Sequence, residues 1–556
     1  MRYNIKIIAG LILASTCLLL AACFIPLGEK QGGATFTINL GGGGRMAYGP
    51  SAPGGAYPTI SDLKYVVEFT PAGSGLAKTV VKDGPKGDSI TDTIETGVYN
   101  VKLNIYLRVD GSLYASGGAA APSPNPVKIE SGSNIISVQV SMDPHVRGNG
   151  SISNPFKVYD AATLNKVGSG TDGWTLSAHY ILIQNINIAE QSFTPIGDNN
   201  AISNNFTGTF NGNNKTISGL TIDSAVAGGQ GLFGAIGGAA EIKNLTLTGV
   251  NIGATTMTSV YNGGGIAGQN NGATVKNCNV SGIIKGFEYI GGVVGNNDGG
   301  TVENCSFVAG SIFGYNEVGG ITGCNSGELI GCIFTGVSVN SEGSAGSGGI
   351  VGYNSGLISY CYASGDVSGE TSGGVAGSNY SGGIIEKCYY ASGTIAGGAN
   401  GIAGGIAGDN YGTVQNCYSA GSISATDGSG GIVAWNYGPL QNCYSTASVS
   451  GEDRVGGVTG ENSGGDVQNC VAVNTAIIRT GGTMSTFGRV MGSSASGPAI
   501  NNYARSDMIT PHTPYPNSDA DGASITEAQW GDTLWWMGTV LFTDPWWTGR
   551  LPPIVP

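Results

Sequence analysis

Between residues 34 and 145 apolar side chains fall on every second position in several short runs. Phe36, Ile38 and Leu40 share one face of a first strand, Val101, Leu103, Ile105, Leu107 and Val109 one face of a longer strand, and Ile136, Val138, Val140 and Met142 one face of another. A period of two is that of a half-buried strand, and turn-rich stretches such as Gly41 to Gly44 and Ala119 to Pro126 separate the runs. Roughly seven such strands with no helical period predict a small antiparallel β-sandwich.

Further along, the alternation gives way to a repeat of whole segments. Eight times the chain returns to Gly-Gly, an aliphatic residue, a small or aliphatic one, Gly or Ala, a variable residue and Asn, the pairs beginning at Gly264, Gly291, Gly319, Gly348, Gly373, Gly404, Gly430 and Gly456. The Asn column is Asn270, Asn297, Asn325, Asn354, Asn379, Asn410, Asn436 and Asn462. A second column is Cys278, Cys305, Cys332, Cys361, Cys388, Cys417, Cys443 and Cys470, with steps of 27, 27, 29, 27, 29, 26 and 27. Three residues before each Cys sits an aliphatic side chain, from Val275 to Val467.

Such a row is long enough for three short strands and three bends, but it holds too few aliphatic residues to close a core alone. Stacked rows bury that core jointly, which is the logic of a solenoid. At ~4.8 Å per coil like lies on like. Asn in a bend tolerates positive φ and hydrogen-bonds the equivalent amides above and below, Gly supplies the remaining sharp turns, and Cys fills the inside of a corner. The handedness of parallel crossovers favours a right-handed parallel β-helix.

Ahead of both patterns stands a targeting segment. Arg2 and Lys6 form a short positive region, Ile7 to Leu20 an apolar run too short to be comfortable as a membrane span, and Ala21 and Ala22 lead into Cys23. Leu20-Ala-Ala-Cys23 resembles the lipobox of bacterial lipoproteins. That resemblance implies cleavage before Cys23, acylation of Cys23, and anchoring to a membrane through the N-terminal lipid. Because Phe24 rather than Asp follows, the expectation leans to the outer membrane or cell surface.

The expected organisation is a signal segment at 1–22, lipidated Cys23 and a tether to 33, the sandwich at 34–145, an N-terminal cap with the first coils at 146–230, the repeat β-helix at 231–505, and a Trp-rich C-terminal cap at 506–556. In the N-terminal cap Asp160 is expected to cap a short helix over Ala161 to Val167 that shields the open end of the solenoid. Trp530, Trp535, Trp536, Trp546 and Trp547 read as a capping plug rather than a ligand cage.

Composition narrows the function. Gly accounts for 98 of 556 residues without a G-X-Y period, which excludes collagen, and charged residues are 11% against a hydrophobic share of 40%, which excludes a disordered chain. A net charge of −13 and the lack of any Lys/Arg-rich run exclude nucleic acid as a partner.

Gly348-Gly-Ile-Val-Gly-Tyr-Asn-Ser-Gly356, followed by Leu-Ile-Ser-Tyr-Cys361-Tyr-Ala-Ser-Gly-Asp-Val, resembles the GLUG motif of bacterial surface proteins. The likeness runs from Gly264 to about Val473, with degenerate rows at Gly231-Leu-Phe-Gly and Arg489-Val-Met-Gly492. The sandwich loosely resembles the immunoglobulin-like or transthyretin-like modules near the anchors of surface lipoproteins. GLUG-type repeats imply adhesin-like proteins, or a neighbour of the metallopeptidase domain in immunoglobulin A proteases. The peptidase needs His-Glu-x-x-His, whereas this chain has only His145, His179 and His512, far apart. No cofactor motif is found, and no metal site is expected.

Two readings of the remaining chemistry stay open. Cys column residues are read as buried thiols in preference to disulfides, because side chains one coil apart start too far apart for a bridge. A polysaccharide lyase or glycosidase on the same fold would need clustered acids, but Asp298, Glu303, Glu328, Glu386, Asp409 and Glu461 do not share a column in neighbouring coils. A passive structural role is the third alternative. The favoured reading is a non-catalytic, adhesin-like scaffold for a glycan or a cell-surface protein. Its candidate surface is aromatic: Tyr362, Tyr389, Tyr418 and Tyr444 directly after the column Cys, and Tyr353, Tyr380, Tyr411, Trp435 and Tyr437 beside the Asn bend. The first set is expected to point outward and to stack from coil to coil.

Overall fold

The computed structural model describes residues 33–39, 63–73, 75–83, 89–107, 113–119, 126–136, 138–142, 148–189, 193–198, 200–223, 229–253, 260–481, 486–514, 518–540, 542–547 and 550. Signal segment, Cys23 and tether lie outside the described residues. The chain divides into two compact units, one ending at Asn185 and the other beginning at Ile186.

In the N-terminal unit the alternating runs form two sheets. Five strands run in the order Lys78–Asp83, Leu63–Pro71, Gly97–Leu107, Leu113–Ala119, Val138–Met142, all antiparallel, with Val127–Ile129 added to the start of the third. In the second sheet Gly33–Asn39 lies between Ser89–Glu95 and Ser133–Ile135. Tyr65, Val67, Phe69, Val101, Leu103 and Ile105 from one sheet and Ile38, Ile90 and Ile94 from the other are buried, as the period of two requires. The expected sandwich is antiparallel throughout; the structure departs from that at one pair, because Gly33–Asn39 runs parallel to Ser133–Ile135. Two strands far apart in sequence are free to pair in either sense, since no hairpin dictates the direction.

The same unit contains the stretch expected as a cap, with Phe156–Val158 parallel to Tyr180–Leu182. The helix is shorter than expected, Ala161–Leu164. Asp160 caps it: its carboxylate accepts from the Thr163 backbone N–H at 2.7 Å, and Thr163 Oγ1 accepts from the Asp160 N–H at 3.0 Å.

From Ile186 the chain stacks parallel strands. Ten successive coils each give one strand to a ten-stranded sheet, from Phe233–Gly237 through Val351–Asn354 to Met491–Ser496. The other strands of each coil belong to a larger parallel sheet, in which Val275, Val302, Leu329, Ile358, Ile385, Val414, Leu440 and Val467 pair residue on residue. All eight are wholly buried, so the aliphatic column is the core that no single coil could close. After Tyr503–Arg505 a final strand, Ala523–Ile525, ends the stack.

The Asn column forms the ladder the spacing predicts. Each amide Nδ2 donates to the Oδ1 of the next coil, from Asn270 to Asn297 at 2.7 Å through to Asn436 and Asn462 at 3.0 Å, seven links in one direction. All eight side chains are fully buried, where an unmade hydrogen bond is expensive. Positive φ, however, does not fall on this column. It falls on the residue just before the Cys, at Asn277, Asn304, Gly331, Tyr360, Lys387, Asn416, Asn442 and Asn469. That is where the chain kinks, which left-handed backbone permits and Asn and Gly tolerate best.

The Gly-Gly pairs also serve a purpose other than the one expected. Their φ values are ordinary; what they provide is room. A Cβ on Gly373 would fall on the carbonyl oxygen of Ala376, and one on Gly374 on that of Gly405 in the next coil.

The eight column cysteines are 0% exposed, and every cysteine among the described residues is unpaired. Each column thiol donates to the carbonyl two residues back, as Cys388 does to Glu386 at 3.2 Å. Burial pushes the Cys361 thiol well above its ordinary range. Beyond the last Cys, Asn502 takes over the corner, its Oδ1 accepting from the Cys470 N–H at 3.0 Å.

Candidate functional site

The residue after each column Cys does point out of the coil, and the four tyrosines there stack as expected. Ring centroids are 4.8 Å apart for Tyr362 and Tyr389, 4.8 Å for Tyr389 and Tyr418, and 5.2 Å for Tyr418 and Tyr444. This ladder is nevertheless not a free surface. The C-terminal segment runs back along the side of the coils and lays Trp536, Phe542, Trp546 and Trp547 over it. Tyr444 is 3% exposed, its hydroxyl donates to the Arg550 carbonyl, and burial holds its phenol well above the ordinary range. Lys387 Nζ and Asp544 Oδ2, at 2.9 Å, tie the segment to the coil that carries Tyr389.

Tyr444 is therefore withdrawn as a binding residue, and Tyr389 and Tyr418 are half-buried against the same cluster. The tail packs along a flank, with helices Glu527–Trp530 and Thr533–Gly538, rather than plugging only the last coil. Its tryptophans match the tyrosines in chemistry. An outward column of aromatic rings is itself apolar area, and the tail buries it.

A second ladder stands beside the Asn column and has no such cover among the described residues. Tyr353 and Tyr380 are 4.4 Å apart, Tyr380 and Tyr411 5.5 Å, and Tyr411 and Tyr437 4.5 Å with parallel planes. Tyr380 and Tyr411 are each 43% exposed and Tyr437 36%. Because the rings stack along the coil direction, they cover one another's faces and offer edges and hydroxyls. They do not present a flat platform of ring faces.

Trp435 differs. It lies in the column just before the Asn, in register with Asp409 on one side and Glu461 on the other, and stacks on no other ring among the described residues. Its indole reaches over Gly428, where an added Cβ would lie 2.8 Å from Nε1. Arg454 Nε holds Glu461 Oε2 at 2.7 Å and also binds Asp427. Asp409 has no such cation, and one of its oxygens is buried without a donor. Burial raises its carboxyl to about 7.

Sequence reading missed two features. Tyr261, Phe287 and Tyr315 form a third short ladder, with centroids 5.4 and 5.1 Å apart, at a bend where no repeated motif drew attention. Glu317 and Glu288 lie close together near Cys324, and burial first, then Glu288, raises the Glu317 carboxyl to about 7. Among the described residues no group of His, Cys, Asp and Glu is arranged to hold a metal ion, and no helix is long and apolar enough to cross a membrane.

A family model described as the GLUG motif matches residues 288–312 and 343–368, two of the coils built here. The chain is 34% identical over 156 residues to halomucin of Haloquadratum walsbyi, a match covering 26% of this chain and 2% of halomucin. It is 35% identical over 109 residues to a Gly-rich membrane protein of Evansella cellulosilytica, covering 18% of this chain and 12% of that protein. The chain thus spans only a small part of the length of these relatives. Among solved structures it is similar to an IgA1 protease chain at 15% identity, covering 81% of this chain and 29% of that one, with a TM-score of 0.26, too low to bear on fold or activity.

Proposed function

We propose that this chain is a lipoprotein of the bacterial cell envelope, acylated at Cys23 and held at the outer membrane or cell surface, whose GLUG-repeat solenoid is a non-catalytic, adhesin-like binding scaffold. One observation carries the reading. Of two tyrosine ladders of the same make, one is packed against the chain's own tryptophans from Tyr389 to Tyr444, while the other is exposed at Tyr380, Tyr411 and Tyr437. Exposed aromatic strips of this kind mark interaction surfaces. The names of the relatives, a mucin-like one and a membrane protein, support an envelope setting.

The test replaces Tyr380, Tyr411 and Tyr437 together by Ser in the full chain and measures adhesion of cells displaying it. Loss of adhesion with an unchanged melting temperature supports the reading. Unchanged adhesion rejects this surface. For the anchor, Cys23→Ser should abolish labelling by a fatty-acid probe and leave an uncleaved precursor; normal processing would overturn it.

A further inference from the structure

Resting on that reading of the surface, and naming what the surface takes, we propose that Trp435, with Asp409 one rung before it and Glu461 one rung after it, is a saccharide-binding subsite for a non-acidic ring of a glycan chain. The three residues are consecutive in one outward column, so the two carboxylates stand two rungs apart, about 9.6 Å at ~4.8 Å per strand, astride the indole. Among the described residues Trp435 stacks on no other ring, whereas Tyr380, Tyr411 and Tyr437 stack on one another.

A pyranose presents an apolar C–H face and a rim of hydroxyls. The indole matches the first, and carboxylates, which only accept, match the second. An apolar peptide would cover Asp409, whose carboxylate no cation pairs among the described residues, and that costs more than the contact returns. Phosphates, uronates and sialates are disfavoured by sign, because Glu461 and Asp427 already share Arg454 and Asp409 adds a further acid in the same column. Glu461 is held in place by Arg454 at 2.7 Å, so it is already ordered before a ligand arrives. Tyr411 and Tyr437 border the site and add two hydroxyls at its rim, their phenols raised by burial and then by the charge of Asp409.

The experiment applies the full chain to an array of neutral and acidic glycans and then titrates the best neutral hexasaccharide by calorimetry. Binding of a neutral glycan is expected, weakened about tenfold or more by Trp435→Ala and retained by Trp435→Phe, consistent with a lost ring contact. Asp409→Asn should weaken it severalfold, and Tyr362→Ser should leave it unchanged. Circular dichroism melts of each variant establish that the fold is intact. A silent array, binding of Trp435→Ala within twofold of the parent, or equal binding of polygalacturonate would overturn the proposal. Adhesion lost in the Tyr380, Tyr411 and Tyr437 variant together with a silent array would leave the adhesive surface standing and reject the saccharide; glycan binding without adhesion would do the reverse.

Discussion

Replacing Asn379 by Ala tests the buried amide ladder at its middle. Asn379 is fully buried, accepts from Asn354 Nδ2 at 2.8 Å, donates to Asn410 Oδ1 at 2.8 Å, and reaches the carbonyls of Gly383 and Thr413 at 3.3 Å each. Alanine removes both inter-coil bonds at once. Asn354 Nδ2 keeps the Gly356 carbonyl at 3.0 Å, but Asn410 Oδ1 loses the amide donor that reaches it from the coil below. One stranded acceptor costs about 1–3 kcal/mol, and the lost bonds about 1 kcal/mol each, so the sum is about 3–5 kcal/mol. Asn462→Ala should cost a similar amount, because it strands the Asn436 Nδ2 donor and breaks the bond from Asn462 Nδ2 to the Ser496 carbonyl at 3.1 Å. Urea denaturation of the full chain, followed by far-ultraviolet circular dichroism, measures both. If both substitutions cost under about 1 kcal/mol, the ladder is not a source of stability and its regularity only reflects coil spacing.

Other perturbations test other parts of the molecule. Cys361→Asp places a carboxylate in a fully buried corner and should destabilise by several kcal/mol, whereas Cys361→Ala should cost far less; coincident thermal melts would refute the interior column. Gly404→Ala should lower the melting temperature sharply, because its Cβ would fall on the Ala407 carbonyl; a melt like the parent's would show that this bend can open without cost. Trp547→Ala, at a site 2% exposed in the tail cluster, should cost about 3–5 kcal/mol locally and make the segment after Ile525 sensitive to protease, with no change in the Asn ladder coils. Burial raises the Asp409 carboxyl from 3.8 to about 7, so the folded state binds the proton more tightly than the unfolded one. Its destabilising effect is therefore full above pH 7 and fades as pH falls towards 4. Asp409→Asn should raise the melting temperature at pH 8 and leave it nearly unchanged at pH 4; an equal effect at both would refute the burial argument.

Much of the fold was legible because a repeat lets each residue be read eight times. The Asn and Cys columns and the aliphatic column all landed where their spacing puts them, since stacking fixes what one row alone leaves open. What the columns did not reveal was which backbone strain each residue bears. Asn270 and Asn277 are both Asn in or near a bend, yet the first is ordinary in φ and buried while the second is at 53° and exposed. The dipeptide Asn-Cys at Asn277, Asn304, Asn416, Asn442 and Asn469 was the available signal. The tail was the larger surprise. Its tryptophans announced a hydrophobic cluster, but the partner lay in a column some hundred residues earlier, and no local pattern links Tyr444 to Arg550, which are 106 positions apart. In the candidate site the aromatic positions could be read from the repeat, but ring orientation, which separates Trp435 from the stacked tyrosines, is set by neighbours such as Gly428 in another strand.

The amide ladder points one way along all seven links, beginning with Oδ1 of Asn270 receiving the Ala273 N–H at 2.9 Å and finishing with Nδ2 of Asn462 on the Ser496 carbonyl at 3.1 Å. Its two ends are thus chemically different and its interior links are interchangeable. Excising one complete coil, for instance residues 374–404, would let Asn354 meet Asn410 in the geometry in which it met Asn379. A deletion inside a strand would instead move that coil's amide off its donor, whereas the bends already absorb steps of 25 and 31 residues between linked amides. Length in this molecule is therefore quantised: it can be gained or lost in whole rungs, between termini that never change partners, and the reach of whatever stands on its flank is set by counting coils.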